Sequence, residues 1–224
     1  MVIKVVGLGG IGTCLLQILD KFLEYAVSSR EAIKVFLIDG DEYSAKNSAR
    51  QFFERLGNKA RVCAESYNER SRRVIYEGIA EYITSNNMYE FIREGDVVFL
   101  CVDNHATRKL VSDRAGELAD VVVISGGNEL TDGNIQIFIR KDSLDITLPL
   151  TSKFHPEISD PQDLHPEDMG CEEAVEESPQ IIITNNAVAS AMLNAFYAHL
   201  QNVLNYDEAY IDILTNNMRQ VVRR

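Results

Sequence analysis

The sequence predicts an α/β fold, a doubly wound and mainly parallel sheet with antiparallel strands at its C-terminal end. Three observations carry that expectation. The chain opens on the apolar run "VIKVV", which leads into Gly7, Gly9, Gly10 and Gly12, a strand turning into a helix through a glycine-rich loop. "IKVFLID" (33–39), "DVVFLCVDN" (96–104) and "DVVVISGGN" (120–128) are continuous apolar runs, as strands covered on both faces require. The helix-like segment "HATRKLVSDRAGELA" separates the last two, and such alternation gives parallel strands joined by crossovers.

Taken in order, residues 2–6 read as the first strand and 10–27 as a helix, with Ile11, Leu15, Ile18, Leu19, Phe22 and Leu23 at helical spacing. The second strand covers 33–39, a polar loop follows, and a helix is expected from about Asn58 to Arg73. Two further strands then bracket the helix that begins after Asn104. "GNIQIFIRK" (133–141) alternates polar and apolar residues, the pattern of a half-exposed antiparallel strand. All five prolines fall in residues 149–179, where "HPEISDPQDLHPEDMGCEEAVEESP" is acidic throughout, so a surface crossover loop is expected over about 145–180. His155 and His165 are expected to be solvated within it. "NNAVASAMLNAFYAHLQNVL" reads as a helix, and "AYIDILTNNMRQVV" as a terminal hairpin turning at Asn216 and Asn217. At 224 residues and 46% hydrophobic, the chain is read as a single domain.

Composition narrows the function. Thirty-four acidic against twenty-two basic residues give a net charge of −12, which disfavours a nucleic-acid partner. No segment has the length and apolarity of a membrane span and no leader pattern precedes the first strand, so a cytoplasmic protein is expected. Cys14, Cys63, Cys101 and Cys171 form no CxxC pair, which points away from zinc and from a disulfide framework. Cys14 and Cys101 read as core residues.

The glycine loop aims backbone N–H groups and a helix N-terminus at an anion, a device shared by NAD, FAD and ATP sites. Asp39, ending the second strand, is placed to accept hydrogen bonds from ribose hydroxyls, and that too is shared. The stretch "IDGDEYSAKNSARQFFERLGNKA" discriminates, because Asn47, Arg50, Gln51 and Lys59 follow the acid-ended strand. A nicotinamide cofactor has no use for two cations there, whereas a triphosphate does: Arg50 and Lys59 would neutralise charge around the α-phosphorus as pyrophosphate leaves. Asp103 ends a parallel strand, the edge where open α/β sheets bind ligands, and a hard carboxylate suits Mg²⁺. The plainer alternatives are an empty tight turn, surface cations, and Asp103 as a helix cap. Arg108 would pair with Asp103 or reach the phosphates, and the sequence does not choose between them.

Glycine loop, strand-ending acid, N-x-x-R-Q, lysine and V-D-N-x-x-x-R, in this order, resemble the ThiF/MoeB family, adenylating relatives of ubiquitin-activating enzymes. The resemblance implies a Rossmann-like adenylation domain over residues 1–224. It implies that Gly7, Gly9, Gly10, Gly12 and Asp39 hold ATP, that Asn47, Arg50, Gln51 and Lys59 surround its phosphates, and that Asp103 holds Mg²⁺. The implied reaction adenylates the C-terminal glycine carboxylate of a ubiquitin-like or sulfur-carrier protein, or of a peptide, and releases pyrophosphate. It also implies a homodimer or heterodimer, with an arginine donated across subunits; here the first strand begins at Val2, so that arginine is absent, a different residue substitutes, or a partner chain supplies it. Cys171 lies in the crossover, where ubiquitin-activating relatives place a thioester cysteine, although Asp168, Glu172 and Glu173 beside it would raise a thiol pKa and oppose a reactive thiolate. An NAD(P)-dependent oxidoreductase is the competing enzyme, which would not need Arg50, Lys59 and Asp103. A non-catalytic Rossmann-like adaptor is the competing binding module.

Overall fold

Alternating apolar side chains of the first strand serve two cores at once. Ile3 and Val5 face one layer and Val6 the other, and the same division recurs at Leu37 and Ile38 and at Phe99 and Leu100. The computed structural model describes residues 1–25, 33–166 and 180–223. Its elements run β1 (Val2–Val6), α1 (Gly10–Tyr25), β2 (Ile33–Ile38), β3 (Glu42–Tyr43), a 3₁₀ turn (Ala45–Ala49), β4 (Gly57–Asn58), α2 (Lys59–Arg70), β5 (Val74–Ile79), α3 (Met88–Phe91) and β6 (Val97–Leu100). They continue with α4 (His105–Gly116), β7 (Val121–Asn128), β8 (Asp132–Lys141), β9 (Leu144–Asp145), α5 (Pro156–Ser159), α6 (Ile182–Leu200), β10 (Glu208–Asp212) and β11 (Asn217–Val221).

The main sheet has the order β11-β10-β8-β7-β6-β1-β2-β5, with β9 pairing to β8. The pairs from β5 to β7 are parallel, and those from β7 through β8 and β10 to β11 are antiparallel. Side chains of α1, α2 and α6 pack on one face, among them Leu15, Val62 and Phe196. Those of α3, α4 and α5 cover the other, among them Phe91, Val111 and Ile158. The expected fold class is therefore the observed one. Because β1 lies between β2 and β6, the chain reverses its direction of travel across the sheet there, and a crevice opens beyond the carboxyl ends of these strands.

Several local expectations are corrected. The β5 strand is not signalled in the sequence, since only Val74 and Tyr76 are buried while Ile75 and Glu77 between them are exposed. Helix α2 stops at Arg70, and α6 starts at Ile182, whose first turn of β-branched residues carries no helical cap signal. The β8 strand is not half-exposed: between β7 and β10, with the crossover packed above it, it is buried from Ile135 to Ile139, Gln136 included. The described part of the crossover is not simply a surface loop either, because Leu150, His155 and Ile158 are buried. His155 bonds to Glu157 at 2.9 Å and to Glu208 at 2.8 Å, and His165 Nε2 lies 2.7 Å from the Ile83 carbonyl. Neither histidine is merely solvated. The terminal hairpin is as expected and turns through Asn216 at φ 51°, a left-handed conformation that asparagine tolerates.

Candidate active site

A cleft of about 1160 Å³ lies along the carboxyl ends of β1, β2 and β6 and extends towards β7 and β8. Its first wall is the glycine loop. Gly7 has φ +87°, and a Cβ there would sit 2.9 Å from the Cys101 carbonyl carbon, so this turn admits only glycine. Gly12 faces inward: a Cβ would lie 2.1 Å from the Gly7 oxygen, which makes it the contact that seats α1 against the turn. Gly7, Gly9 and Gly10 line the cleft, and Gly12 is not among its lining residues.

Asp39 holds the loop from below. Its Oδ2 accepts from the Leu8 N–H at 2.5 Å and its Oδ1 from the Asp41 N–H at 2.8 Å. Burial pushes its carboxyl up to about 6 against the downward pull of Lys59. Lys59 opens α2 behind the cap Asn58, whose side chain accepts from the Arg61 N–H. Its Nζ donates to Asp41 Oδ2 at 2.7 Å, with 7% of the residue exposed. Burial pulls the Lys59 pKa down, but the charges of Asp39 and Asp41 outweigh it and the net shift is upward, so Lys59 is a buried cation held charged. Tyr82 donates its hydroxyl to Asp41 as well.

Arg50 ends the 3₁₀ turn and donates from Nη1 to Gln180 Oε1 at 3.0 Å. Gln51 beside it is 6% exposed, and its Oε1 has no partner among the described residues. Both line the cleft. Asn47 does not: its Oδ1 accepts from the Ser44 N–H at 2.8 Å and braces the turn that presents Arg50 and Gln51. Asp103 is exposed on the opposite wall, and the capping role falls to Asn104, which accepts from the Thr107 N–H at 2.8 Å. Asp103 is thus left open as a ligand. Cys171 lies outside the described residues.

Four participants were not assigned from sequence. Asp41 had a signal in the D-x-D spacing at the end of β2, and Arg108 in its place within V-D-N-x-x-x-R. Arg108 is 6% exposed and reaches the back wall, where Nη2 donates to the Val102 and Gly126 carbonyls at 2.9 Å each. Tyr82 and Asp163 had none. Asp163 accepts from the first N–H groups of α4, at Ala106 over 3.1 Å, and ties the crossover to the cleft edge. Among the described residues, eight carboxylates and three cations line the cleft. No group of three or more His, Cys, Asp or Glu there is arranged to hold a metal by itself.

Residues 1–221 match the ThiF family. The chain belongs to the ThiF family. This ThiF-family chain is 28% identical over 139 residues to the Candida albicans adenylyltransferase and sulfurtransferase UBA4, covering 60% of this chain and 30% of that protein. Similar folds are found in Escherichia coli MccB with ATP, at TM-score 0.70, 16% identity and coverage of 98% of this chain and 62% of MccB. PaaA gives TM-score 0.71 at 14% identity, covering 100% of this chain and 64% of its own. The ThiF-family chain thus spans less than a third of the curated relative and less than two thirds of these two solved chains. Among the described residues no helix is long and apolar enough to cross a membrane.

Proposed function

We propose that this chain binds ATP in the cleft and adenylates the C-terminal carboxylate of a protein or peptide, releasing pyrophosphate. The observation that carries the reading is the convergence of the glycine loop, Asp39, Arg50, Lys59 and Asp103 on one cleft at the switch point of the sheet. A carboxylate oxygen attacks the α-phosphorus, the bond from that phosphorus to the bridging oxygen of pyrophosphate breaks, and the electron pair leaves with pyrophosphate. No proton transfer is required. The chain's contribution is alignment of the two anions and stabilisation of the charge that develops between them.

In this reading the glycine-loop N–H groups and Gln51 receive the phosphates, and Asp39, with lone pairs to spare, accepts from the ribose. Lys59, kept charged by two carboxylates, and Arg50 stabilise the α-phosphoryl oxygens. The donor set fits Mg²⁺: one open carboxylate, Asp103, in a cleft whose acids outnumber its cations, with phosphate oxygens and water to complete the shell. When bound, the ion supplies charge neutralisation to the polyphosphate. Adenylation needs no thiol, so Cys171 belongs only to a later acyl transfer.

Support for the acyl partner comes from the relatives. The UBA4 protein is named for adenylyl and sulfur transfer, and MccB has been solved with ATP and with MccA. The partner proposed here is a ubiquitin-like or sulfur-carrier protein, or a peptide, ending in glycine, and the active form is a dimer with itself or with a partner chain. The test is thermal melting with Mg-ATP and with NAD. Mg-ATP at a hundred times its dissociation constant should stabilise by about 2.7 kcal/mol. Stabilisation by NAD alone would instead identify an oxidoreductase.

A further inference from the structure

Asn185 stands in the first turn of α6 with none of its surface exposed, a place where a carboxamide is costly unless both of its ends are bonded. Both are. Its Nδ2 donates to the Arg50 carbonyl at 3.3 Å, and its Oδ1 accepts from Asn128 Nδ2 at 3.0 Å. One side chain thus joins α6 to the turn that carries Arg50 and to the end of β7.

The third neighbour is the glycine loop. A Cβ on Gly10 would lie 2.1 Å from Asn185 Nδ2 and 2.6 Å from its Cγ. Gly10 opens α1 and is not among the glycines with positive φ, so its missing side chain serves space rather than backbone conformation. The space is taken by the Asn185 amide. Arg50 is also held at its other end from the same direction, because its guanidinium donates to Gln180 Oε1 at 3.0 Å, just ahead of α6. Two residues further on, the Phe52 N–H donates to Thr13 Oγ1 of α1 at 3.2 Å. The bond at Asn185 therefore ties the place of Arg50 to that of Gly10.

Packing alone would be served by an apolar side chain, which spares the cost of taking a carboxamide out of water. A carboxamide adds direction: here its donor and its acceptor are aimed at two different walls of the cleft. We propose that Asn185 is the positioning residue for Arg50, holding the main chain of that cation in register with the glycine loop so that guanidinium and loop N–H groups engage one polyphosphate together. The inference rests on the adenylation reading, in which Arg50 stabilises charge at the α-phosphorus. It extends that reading, because the helix after the crossover, and not the 3₁₀ turn alone, then sets where the cation stands. Misplacing such a group by about 1 Å is worth about 10²-fold in rate.

The test is phosphorus NMR of Mg-ATP bound to the full chain. In the wild type the α-phosphorus resonance should be displaced from that of free Mg-ATP, and Arg50→Ala should remove part of the displacement. Asn185→Ala should remove that same part although Arg50 is still present, and leave ATP affinity unchanged. The double variant Arg50→Ala/Asn185→Ala should match Arg50→Ala alone, since substitutions that act through one contact are not additive. A merely structural Asn185 would instead lower ATP affinity and disturb all three phosphorus resonances in either background, which overturns the positioning role. Should Asn185→Ala not fold, Asn128→Ala, a change at the half-buried cleft edge, frees the carboxamide to turn and should give a partial loss at the α-phosphorus. An α-phosphorus resonance at its wild-type position in the folded variant overturns the proposal and leaves adenylation standing. An α-phosphorus resonance indifferent to Arg50→Ala removes the Arg50 assignment and the positioning role together, and Mg-ATP that keeps its free resonances with the wild type removes the nucleotide reading itself.

Discussion

At Asp39, burial and the neighbouring Asp41 charge oppose Lys59 and two backbone N–H groups, and the balance leaves the carboxyl at about 6 rather than its ordinary 3.8. A folded value raised in this way favours the protonated form, so the stability attributable to Asp39 declines as pH rises from 3.8 towards 6. The ribose contact proposed for Asp39 runs the other way, because hydroxyl donors prefer the carboxylate. Calorimetry should therefore find ATP binding tighter at about pH 7 than at about pH 5 in the wild type, with a smaller difference in Asp39→Asn, where only the titration of the nucleotide's own terminal phosphate, with a pKa of about 6, remains. An equal difference in the wild type and in Asp39→Asn would remove Asp39 from the ribose contact. The two cations make a kinetic prediction instead. If Arg50 and Lys59 act on charge that develops at the α-phosphorus, alanine at either should lower carrier-dependent pyrophosphate exchange by about 10²–10³ with little change in ATP affinity. Equal losses of rate and affinity would make them ground-state binders only.

Between elements, the crossover is anchored where His155 meets Glu208 and Glu208 meets Arg223 at 2.8 Å. Burial lowers the His155 pKa, but the two glutamates outweigh it and the net shift is upward; burial raises that of Glu208, but its bonds to His155 and Arg223 bring it down to about 2. The histidine contribution is complete below 6.5 and lost as pH rises through its raised folded value, while the glutamate contribution is complete above 4.5 and lost as pH falls towards 2. The anchor is thus strongest between those two ordinary values, 4.5 and 6.5. Proteolysis within residues 149–166 should be slowest there, and His155→Leu should abolish the loss on the alkaline side, keep the acid limb that Glu208 and Arg223 supply, and cost about 1–3 kcal/mol. A pH-independent cleavage rate in the wild type would show that the anchor does not hold the crossover. This anchor was illegible in the sequence, because the partner that ties His155 to the sheet, Glu208, lies 53 residues away on a strand whose own pattern names no contact. The parallel strands were legible, since an uninterrupted apolar run has few other uses. The β5 strand was not: an edge strand buries one face and so leaves only a short alternation. The same limit applied to Gln136, whose alternation signals a solvent face that β10 and the crossover then cover.

Across the whole molecule, the two apolar layers share one sheet, and the cleft opens where β1 divides the strands that follow it. The glycine loop, Asp39, Arg50 and Lys59 come from the first part of the chain, whereas Asp103, Arg108 and Gln136 come from later elements, so neither half of the site exists without the other. That division was visible in the order of the motifs. Their convergence depended on Ile3 pairing with Val35 on one side and Val97 on the other, which no local pattern specifies. It also has a consequence for how the protein is made and lost. Pairing β1 with β6 closes a long loop whose entropy is spent before its contacts form, which makes such parallel pairings slow. If the pairing is completed only after the barrier, a ligand that needs both of its sides finds no binding surface in the transition state. Mg-ATP should therefore slow unfolding and leave the refolding rate unchanged, shifting only the unfolding limb of a chevron plot. Acceleration of refolding by the nucleotide would mean that the cleft is already assembled at the barrier.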